Sequence, residues 1–343
     1  MLRTACQRVP LRRAAERSGG HRREAFGHPR KDQPVRVALL FIDGVGIGDR
    51  DAAVNPLARK GFLLSQFRDG TGEPLEDGRL YAVDPTFGVP GRPQSASNQT
   101  ALLTGEPAPR LIGRHVLGFP NPELRRILEA RSIVKRLAAA GRSSTFTNCY
   151  PAGYLDALGL KRRDSAGPDI SIPPAAARRL RPSATTLAMA AGDVLLRTLD
   201  DARQGNGLTN DIDGRRARER GFDVPNRSPE EAASIFLRIS ADFDFTLFEH
   251  YLADEAGHAK DWKRAEEALA SFDRFARAVV ERKPDDLEVL ICSDHGNVEN
   301  LSIRSHTLNR VPALHFGAAR PASELENVAD VGRCVLRWLG AKA

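Results

Sequence analysis

At 343 residues, with 41% hydrophobic and 28% charged side chains, the chain is long enough to bury a sizeable core and has the balance of a globular protein. Its formal net charge of +7 suggests nucleic acid until it is located: residues 1–34 hold nine Lys or Arg against three acids, and the remainder holds 42 basic against 41 acidic residues. A body so close to neutral has no electrostatic footprint for DNA, and no segment approaches 18 uncharged apolar residues, so neither nucleic-acid binding nor a membrane span is expected.

Residues 1–34 are rich in arginine and lack the apolar run of a secretory signal. They are expected to be a disordered basic tail, superficially like a transit peptide, and are set apart from the fold. Residues 35–343 are then expected to form a single catalytic domain. Cys6, Cys149, Cys292 and Cys334 are far apart, with no C-x-x-C pair, which fits reduced thiols in a cytoplasm rather than a disulfide frame or a zinc site.

In chain order, "VALLFI" (37–42) reads as a buried strand and runs into "DGVGIGD". A dinucleotide fingerprint beginning at Gly44 needs glycine at position 49, where the chain has Asp49, so that reading fails. Asp43 remains, either as a turn-former or as a carboxylate presented at the carboxyl edge of a sheet. The run "PQSASNQTALLTG" leads into a short helix over 98–105 and puts Ser95 or Ser97 near its N-terminus, where free amides attract a phosphate; simple capping is the alternative. "PELRRILEARSIVKRLAAAG" (122–141) predicts one helix closing on Gly141, and "STFTN" (144–148) a strand. Residues 150–228, rich in Gly, Pro and Arg, show no clean alternation and read as a small excursion over the site. A helix opens at Ser228, with Pro229 in its first turn and Glu231 three residues on from the cap. "FTLFEHYL" (245–252), "LEVLICS" (287–293) and "VPALHFG" (311–317) predict further strands, and residues 259–283 a long helix. Strands alternating with helices imply an α/β fold whose mostly parallel sheet carries helices on both faces, with ligands beyond the carboxyl ends of the strands.

Three later motifs stand at such ends. In "DEAGH", Asp254 and His258 are four apart and can face one ion from the first turn of a helix. In "SDHGN", Asp294 and His295 leave a strand together, and in "SHTLNRVP", His306 lies on a loop before another. Each alone has an ordinary reading: chance spacing, a local hydrogen bond, a polar surface residue. Together with Asp43 they make three Asp and three His, a set that suits two divalent ions with mixed oxygen and nitrogen ligands. A serine near them supplies a nucleophile that ion coordination would activate.

In the order "FIDGVGIG", serine segment, "DEAGH", "SDHGN", "HTLNRVP", these segments resemble the alkaline phosphatase superfamily of metalloenzymes. The resemblance is closest to the branch of phosphopentomutase and cofactor-independent phosphoglycerate mutase, and it covers residue 37 to about 316. It implies a three-layer α/β/α, alkaline-phosphatase-like fold, two divalent ions (manganese or zinc, with magnesium also possible in the family) and phosphoryl transfer. Residue by residue, it implies that Asp254, His258 and His306 hold one ion, and that Asp43, Asp294 and His295 hold the other together with the nucleophile. Ser95 stands ten positions before Gly105, as the nucleophile does in relatives, and Ser97 is the other candidate. Asn98 is similar to an asparagine that contacts the phosphoryl group in pyrophosphatase-like relatives. Arg92, Arg114, His115 and Arg310 lie beside these segments and are candidates for holding an anionic substrate.

The chain also departs from the mutases, which carry a large insertion or cap; here only 148 residues lie between Gly105 and Asp254. A mutase must shield its phosphoryl group from water between half-reactions. The expectation is therefore a phosphoester hydrolase acting on a small phosphorylated metabolite through a phosphoserine. The alternatives are a phosphomutase and a catalytically idle metal-binding protein. A sulfatase is not expected, because neither Cys149 nor Ser95 is followed by x-P-x-R.

Overall fold

The computed structural model describes residues 35–163, 167–321 and 323–342. The basic tail, Cys6 included, lies outside the described residues. The chain enters as β1 (Arg36–Ile42), crosses the long loop after Asp43 to β2 (Gly78–Val83), and continues through α1 (Ser95–Thr104), α2 (Ala108–Ile112), α3 (Pro122–Arg131) and α4 (Ile133–Ala139). Next come β3 (Ser144–Phe146), β4 (Cys149–Tyr150), α5 (Ala152–Ala157), α6 (Pro174–Ala177), α7 (Ala184–Ala191), β5 (Arg197–Thr198), α8 (Leu199–Arg203) and α9 (Arg215–Glu219). The last part is α10 (Pro229–Ser240), β6 (Phe245–His250), α11 (Leu252–Ala259), α12 (Trp262–Arg282), β7 (Leu287–Cys292), β8 (Val311–Phe316) and α13 (Val328–Trp338).

Six strands form the central sheet in the order β2-β8-β7-β1-β6-β3. β1 pairs in parallel with β6 and β7, β3 pairs in parallel with β6, and β8 runs antiparallel to both β7 and β2. Strands β6 and β7 are buried along their whole length, as is β1 after Arg36, which explains their unbroken apolar runs. Alternate residues of β1 enter different cores. Val37, Leu39 and Phe41 pack with α1, α3, α4, α7 and α13, while Ala38, Leu40 and Ile42 pack with α10, α11 and α12. The sheet therefore has a helical layer on each face, as expected for the three-layer α/β/α class.

The predicted helix over 122–141 is two helices. Ser132 is fully buried, donates its hydroxyl to Ala188 O on α7 at 2.8 Å and accepts from Val134 N, so it ends α3 and caps α4. The predicted strand at 245–252 stops at His250, because Leu252 already begins α11. Ser228 and Glu231 form the reciprocal cap expected at the start of α10, with Pro229 in the first turn. Strand β2 and helix α13 were not foreseen. Within residues 150–228, α7 belongs to the helical layer against α1, α3 and α4, while Leu199, Ala202 and Val224 join Cys149 in a small separate cluster. Cys149, Cys292 and Cys334 are buried free thiols. No helix among the described residues is long and apolar enough to cross a membrane.

Helix α1 is held from behind by α13, which crosses it at Gly332. A Cβ there would lie 2.3 Å from Leu102 O and 3.1 Å from Gly105 N. Gly332→Ala must push the two helices apart and should cost about 1–3 kcal/mol of stability, as overpacking does. Urea unfolding of the pair checks this, and an unchanged midpoint contradicts it.

Candidate metal centre

Three adjacent parallel strands deliver the site. Asp43 follows β1, Asp294 and His295 follow β7, and Asp254 and His258 lie on α11, which β6 leads into. Backbone bonds hold these exits together: Asp43 N donates to His250 O at 2.9 Å, and Val45 N to Ser293 Oγ at 2.9 Å. His306 arrives on the loop before β8. All six residues are brought together, as two sets. Asp43, Asp294 and His295 offer ligand atoms within 4.8 Å of one another, and so do Asp254, His258 and His306. The rings of His295 and His306 stack with centroids 3.8 Å apart, so the two sets are neighbours.

The donor chemistry fits a cation in each set. In the second, His258 Nδ1 faces Arg304 O at 2.9 Å and His306 Nδ1 faces Pro93 O at 2.7 Å. A carbonyl only accepts, so each Nδ1 carries the proton and each Nε2 presents a lone pair. Those two Nε2 atoms lie 3.0 Å apart, with Asp254 Oδ2 3.3 Å from one and Asp254 Oδ1 3.6 Å from the other. With both rings neutral, two lone pairs and a carboxylate converge on one point, a donor set that suits a cation. In the first set, His295 Nε2 lies 3.2 Å from Asp43 Oδ1 and 3.4 Å from Asp294 Oδ2, and among the described residues these buried oxygens have no donor near them other than His295 itself.

Electrostatics point the same way. Burial, then the charges of Asp294 and Asp254, raise the Asp43 carboxyl well above its ordinary range. Burial and Asp254 also raise Asp294. Burial alone would lower the His295 imidazolium, but Asp294, Asp43 and Asp254 outweigh it and push it up to about 10. Burial, together with the nearby His295, pushes His306 down to about 4. Burial opposes ionisation of Asp254, yet the adjoining His258, the charge of His295 and a bond from Asn297 hold it below the usual carboxylate range, and Asp254 in turn raises the His258 imidazolium, so in the ion-free protein a proton on His258 Nε2 stands where an ion would. The sets differ in access: the side chain of His258 is 43% exposed, whereas those of Asp294 and His295 are wholly buried.

Helix α1 supplies the rest. Ser95, in its first turn, places Oγ 2.9 Å from His295 Nε2. Gln94 makes no side-chain cap, so the first-turn amides remain available to an anion. Ser97 is committed elsewhere, donating to Gln94 O and accepting from Val116 N, each at 3.1 Å. One turn on, Gln99 Nε2 donates to Asp43 Oδ2 at 3.0 Å. Asn98 does not present its amide to a phosphoryl group: both of its N–H bonds go to the carbonyls of Pro85 and Asp294, at 2.8 Å each. Of the residues expected to hold an anionic substrate, Arg114 is bound to Glu123 and to Ile112 O. Arg310 donates to Ala82 O and Arg92 to His306 O. His115 is half-buried beside Gly91, both ring nitrogens without partners. Each of these arginines bonds to the protein, which adjacency in sequence does not reveal, although Arg92 and Arg310 each use one nitrogen in doing so. Sequence reasoning also missed Gln99, Asn297 and Glu299, although i, i+4 spacing from Ser95 marks the first and "SDHGNVEN" contains the other two.

Comparison with known proteins defines first the class. With a TM-score of 0.51, the Thermus thermophilus alkaline phosphatase structure aligns over 92% of this chain and 93% of its own at 14% identity. The structure of the PH0037 protein from Pyrococcus horikoshii aligns with the same score over 90% and 98%, also at 14% identity. The fold is alkaline-phosphatase-like. The metalloenzyme superfamily model matches residues 223–343, the segment carrying Asp254, His258, Asp294, His295 and His306. That segment is similar to the metalloenzyme superfamily, and the fold around it is of the alkaline phosphatase type. Curated relatives include the 2,3-bisphosphoglycerate-independent phosphoglycerate mutase of Parabacteroides distasonis, 32% identical over 29% of this chain and 21% of that protein. The phosphopentomutase of Deinococcus radiodurans is 34% identical over 31% and 28%. The match thus spans about a quarter of the length of these relatives.

With its imidazolium pushed up to about 10, against burial, by the surrounding carboxylates, His295 should carry a proton in the ion-free protein at neutral pH and must lose it to ligate, so Mn²⁺ binding at the Asp43 set should release at least one proton. Affinity should fall about tenfold for each pH unit lost between about pH 8 and about pH 7. Calorimetry in buffers of different ionisation enthalpy measures this, and a pH-independent affinity with no proton release refutes it.

Proposed function

We propose that the protein is a two-ion phosphoester hydrolase that acts on a small phosphorylated metabolite through a phosphoserine at Ser95. The observation that carries this reading is Ser95 Oγ at 2.9 Å from His295 Nε2, at the head of α1 and beside two ion-ligating sets. When bound, the divalent ions supply Lewis-acid charge that favours the serine alkoxide and neutralises the phosphoryl oxygens. The chain's own part is to aim Ser95 and to offer the free amides of α1 to the phosphoryl group. It also leaves one side open at His258, through which substrate and water enter. Phosphorus is transferred to Ser95 Oγ as the ester bond breaks, and water then cleaves the phosphoserine to give inorganic phosphate and the free hydroxyl. Mixed Asp and His ligands suit manganese or zinc, and buried free cysteines suit a cytoplasmic setting.

A phosphomutase is the second reading, favoured by the mutases among the curated relatives. Hydrolysis is preferred because few residues between Gly105 and Asp254 are left over to enclose a phosphoserine: α7, from that span, is packed into the helical layer.

Ser95→Ala should lose phosphoenzyme labelling and lower turnover by at least about a thousandfold, while still binding two divalent ions. Ser97→Ala should keep its labelling. Labelling of Ser95→Ala at the wild-type level would reject the assignment. Inorganic phosphate and isomerised substrate, measured in parallel across phosphorylated sugars and acids, separate hydrolase from mutase.

A further inference from the structure

Glu299, four residues after His295, is 1% exposed. Its carboxylate accepts from four donors. Oε2 takes Gly46 N at 3.0 Å and Asn297 N at 2.7 Å, while Oε1 takes Asn309 Nδ2 at 2.9 Å and the Thr307 hydroxyl. A carboxylate has about four acceptor sites and no donor, so these bonds fill its capacity. The donors come from three separate segments. Gly46 follows Asp43, Asn297 follows Asp294 and His295, and Thr307 and Asn309 follow His306. Asn297 extends the connection to α11, donating Nδ2 to Asp254 Oδ1 at 2.6 Å. The glycines around it are shaped to this carboxyl group. A Cβ would stand 2.2 Å from Glu299 Oε1 at both Gly46 and Gly296, and 2.8 Å from its Cγ at Gly48.

We propose that Glu299 is a positioning residue, a buried latch that sets the ligand loops of both ion sets in one register, so that the two sets are formed and weakened together. This rests on the two-ion reading of the site. Glu299 touches no ligand atom of either set; it acts through the backbone and side-chain donors that follow them. A glutamine of the same shape can stand there only if the Thr307 hydroxyl and the Asn309 amide turn to accept from it, which gives up their present bonds. The N–H groups of Gly46 and Asn297 require its oxygen, which turns its NH₂ toward Asn309 Nδ2 and the Thr307 hydroxyl. That hydroxyl already accepts from Asn309 N.

The test is Mn²⁺ titration calorimetry on the full chain, with far-UV circular dichroism of the ion-free proteins. Wild type should bind two ions. Glu299→Gln should bind both about 10- to 100-fold more weakly with an unchanged ion-free spectrum, Thr307→Val should weaken both by less, and Thr307→Ser should restore wild-type affinity. Wild-type affinity in Glu299→Gln, or weakening of one ion alone, overturns the latch. If Glu299→Gln does not fold, the threonine pair decides: equal affinities in Thr307→Val and wild type overturn the proposal. Failure of wild type itself to bind Mn²⁺ overturns the two-ion reading, and the latch with it.

Discussion

Three carboxylates that cannot all be ionised without a cation are the constraint on which this structure turns. Asp43 and Asp294 offer oxygens within 4.8 Å of each other in a region closed to solvent, and Asp254 adds to the potential felt by both. At about 4 Å and an effective dielectric constant of about 20, two like unit charges repel by about 4 kcal/mol, comparable with the whole stability margin of many domains. The fold accepts this tension at the ends of β1, β6 and β7, where parallel neighbours force the loops to emerge side by side. Everything nearby answers that charge: protonation of His295 in the ion-free protein, the lone pairs of His258 and His306, and the amide of Gln99 on Asp43.

The same constraint explains the glycines after β1. They resemble a cofactor loop in sequence, but their absent side chains face carboxyl groups. Gly44, at φ +77°, would place a Cβ 2.6 Å from Asp254 Cβ, and Gly46 and Gly48 make room for Glu299. The loop is bare because acids from two other segments occupy the space its side chains would need.

Much of this architecture was legible in the sequence for physical reasons that also mark its limits. Strands β1, β6, β7 and β8 are buried throughout or nearly so, and buried strands announce themselves as apolar runs. Strand β2 is a half-exposed edge, "GRLYAV", and carries no such mark. Helix α13 has Gly332 at its centre, where tight packing on α1 matters more than helix propensity. The break at Ser132 depends on a carbonyl of α7, 56 positions away. The candidate ligand residues stood out only in company: each alone had an ordinary reading, and three Asp with three His recurring at strand ends did not. Glu299 did not stand out, because its role consists of donors as far as 253 positions distant. For Arg114 and Arg310 the limit is the converse: proximity in sequence to a site says nothing about which carbonyl or carboxylate a guanidinium bonds.

The two cores on either side of β1 have a consequence for how this protein can vary. All six ion-ligand positions stand on loops, or on a helix, leaving or entering strands β1, β6, β7 and β8, while the small cluster around Cys149, Leu199 and Val224 hangs beyond the β3 edge, with a core of its own. The periphery is nevertheless tied to the reactive centre: Arg216 of α9 pairs with Glu255 of α11, and Asn210 O accepts from His250 at the end of β6. Changes at that margin are therefore felt at the helix that carries Asp254 and His258.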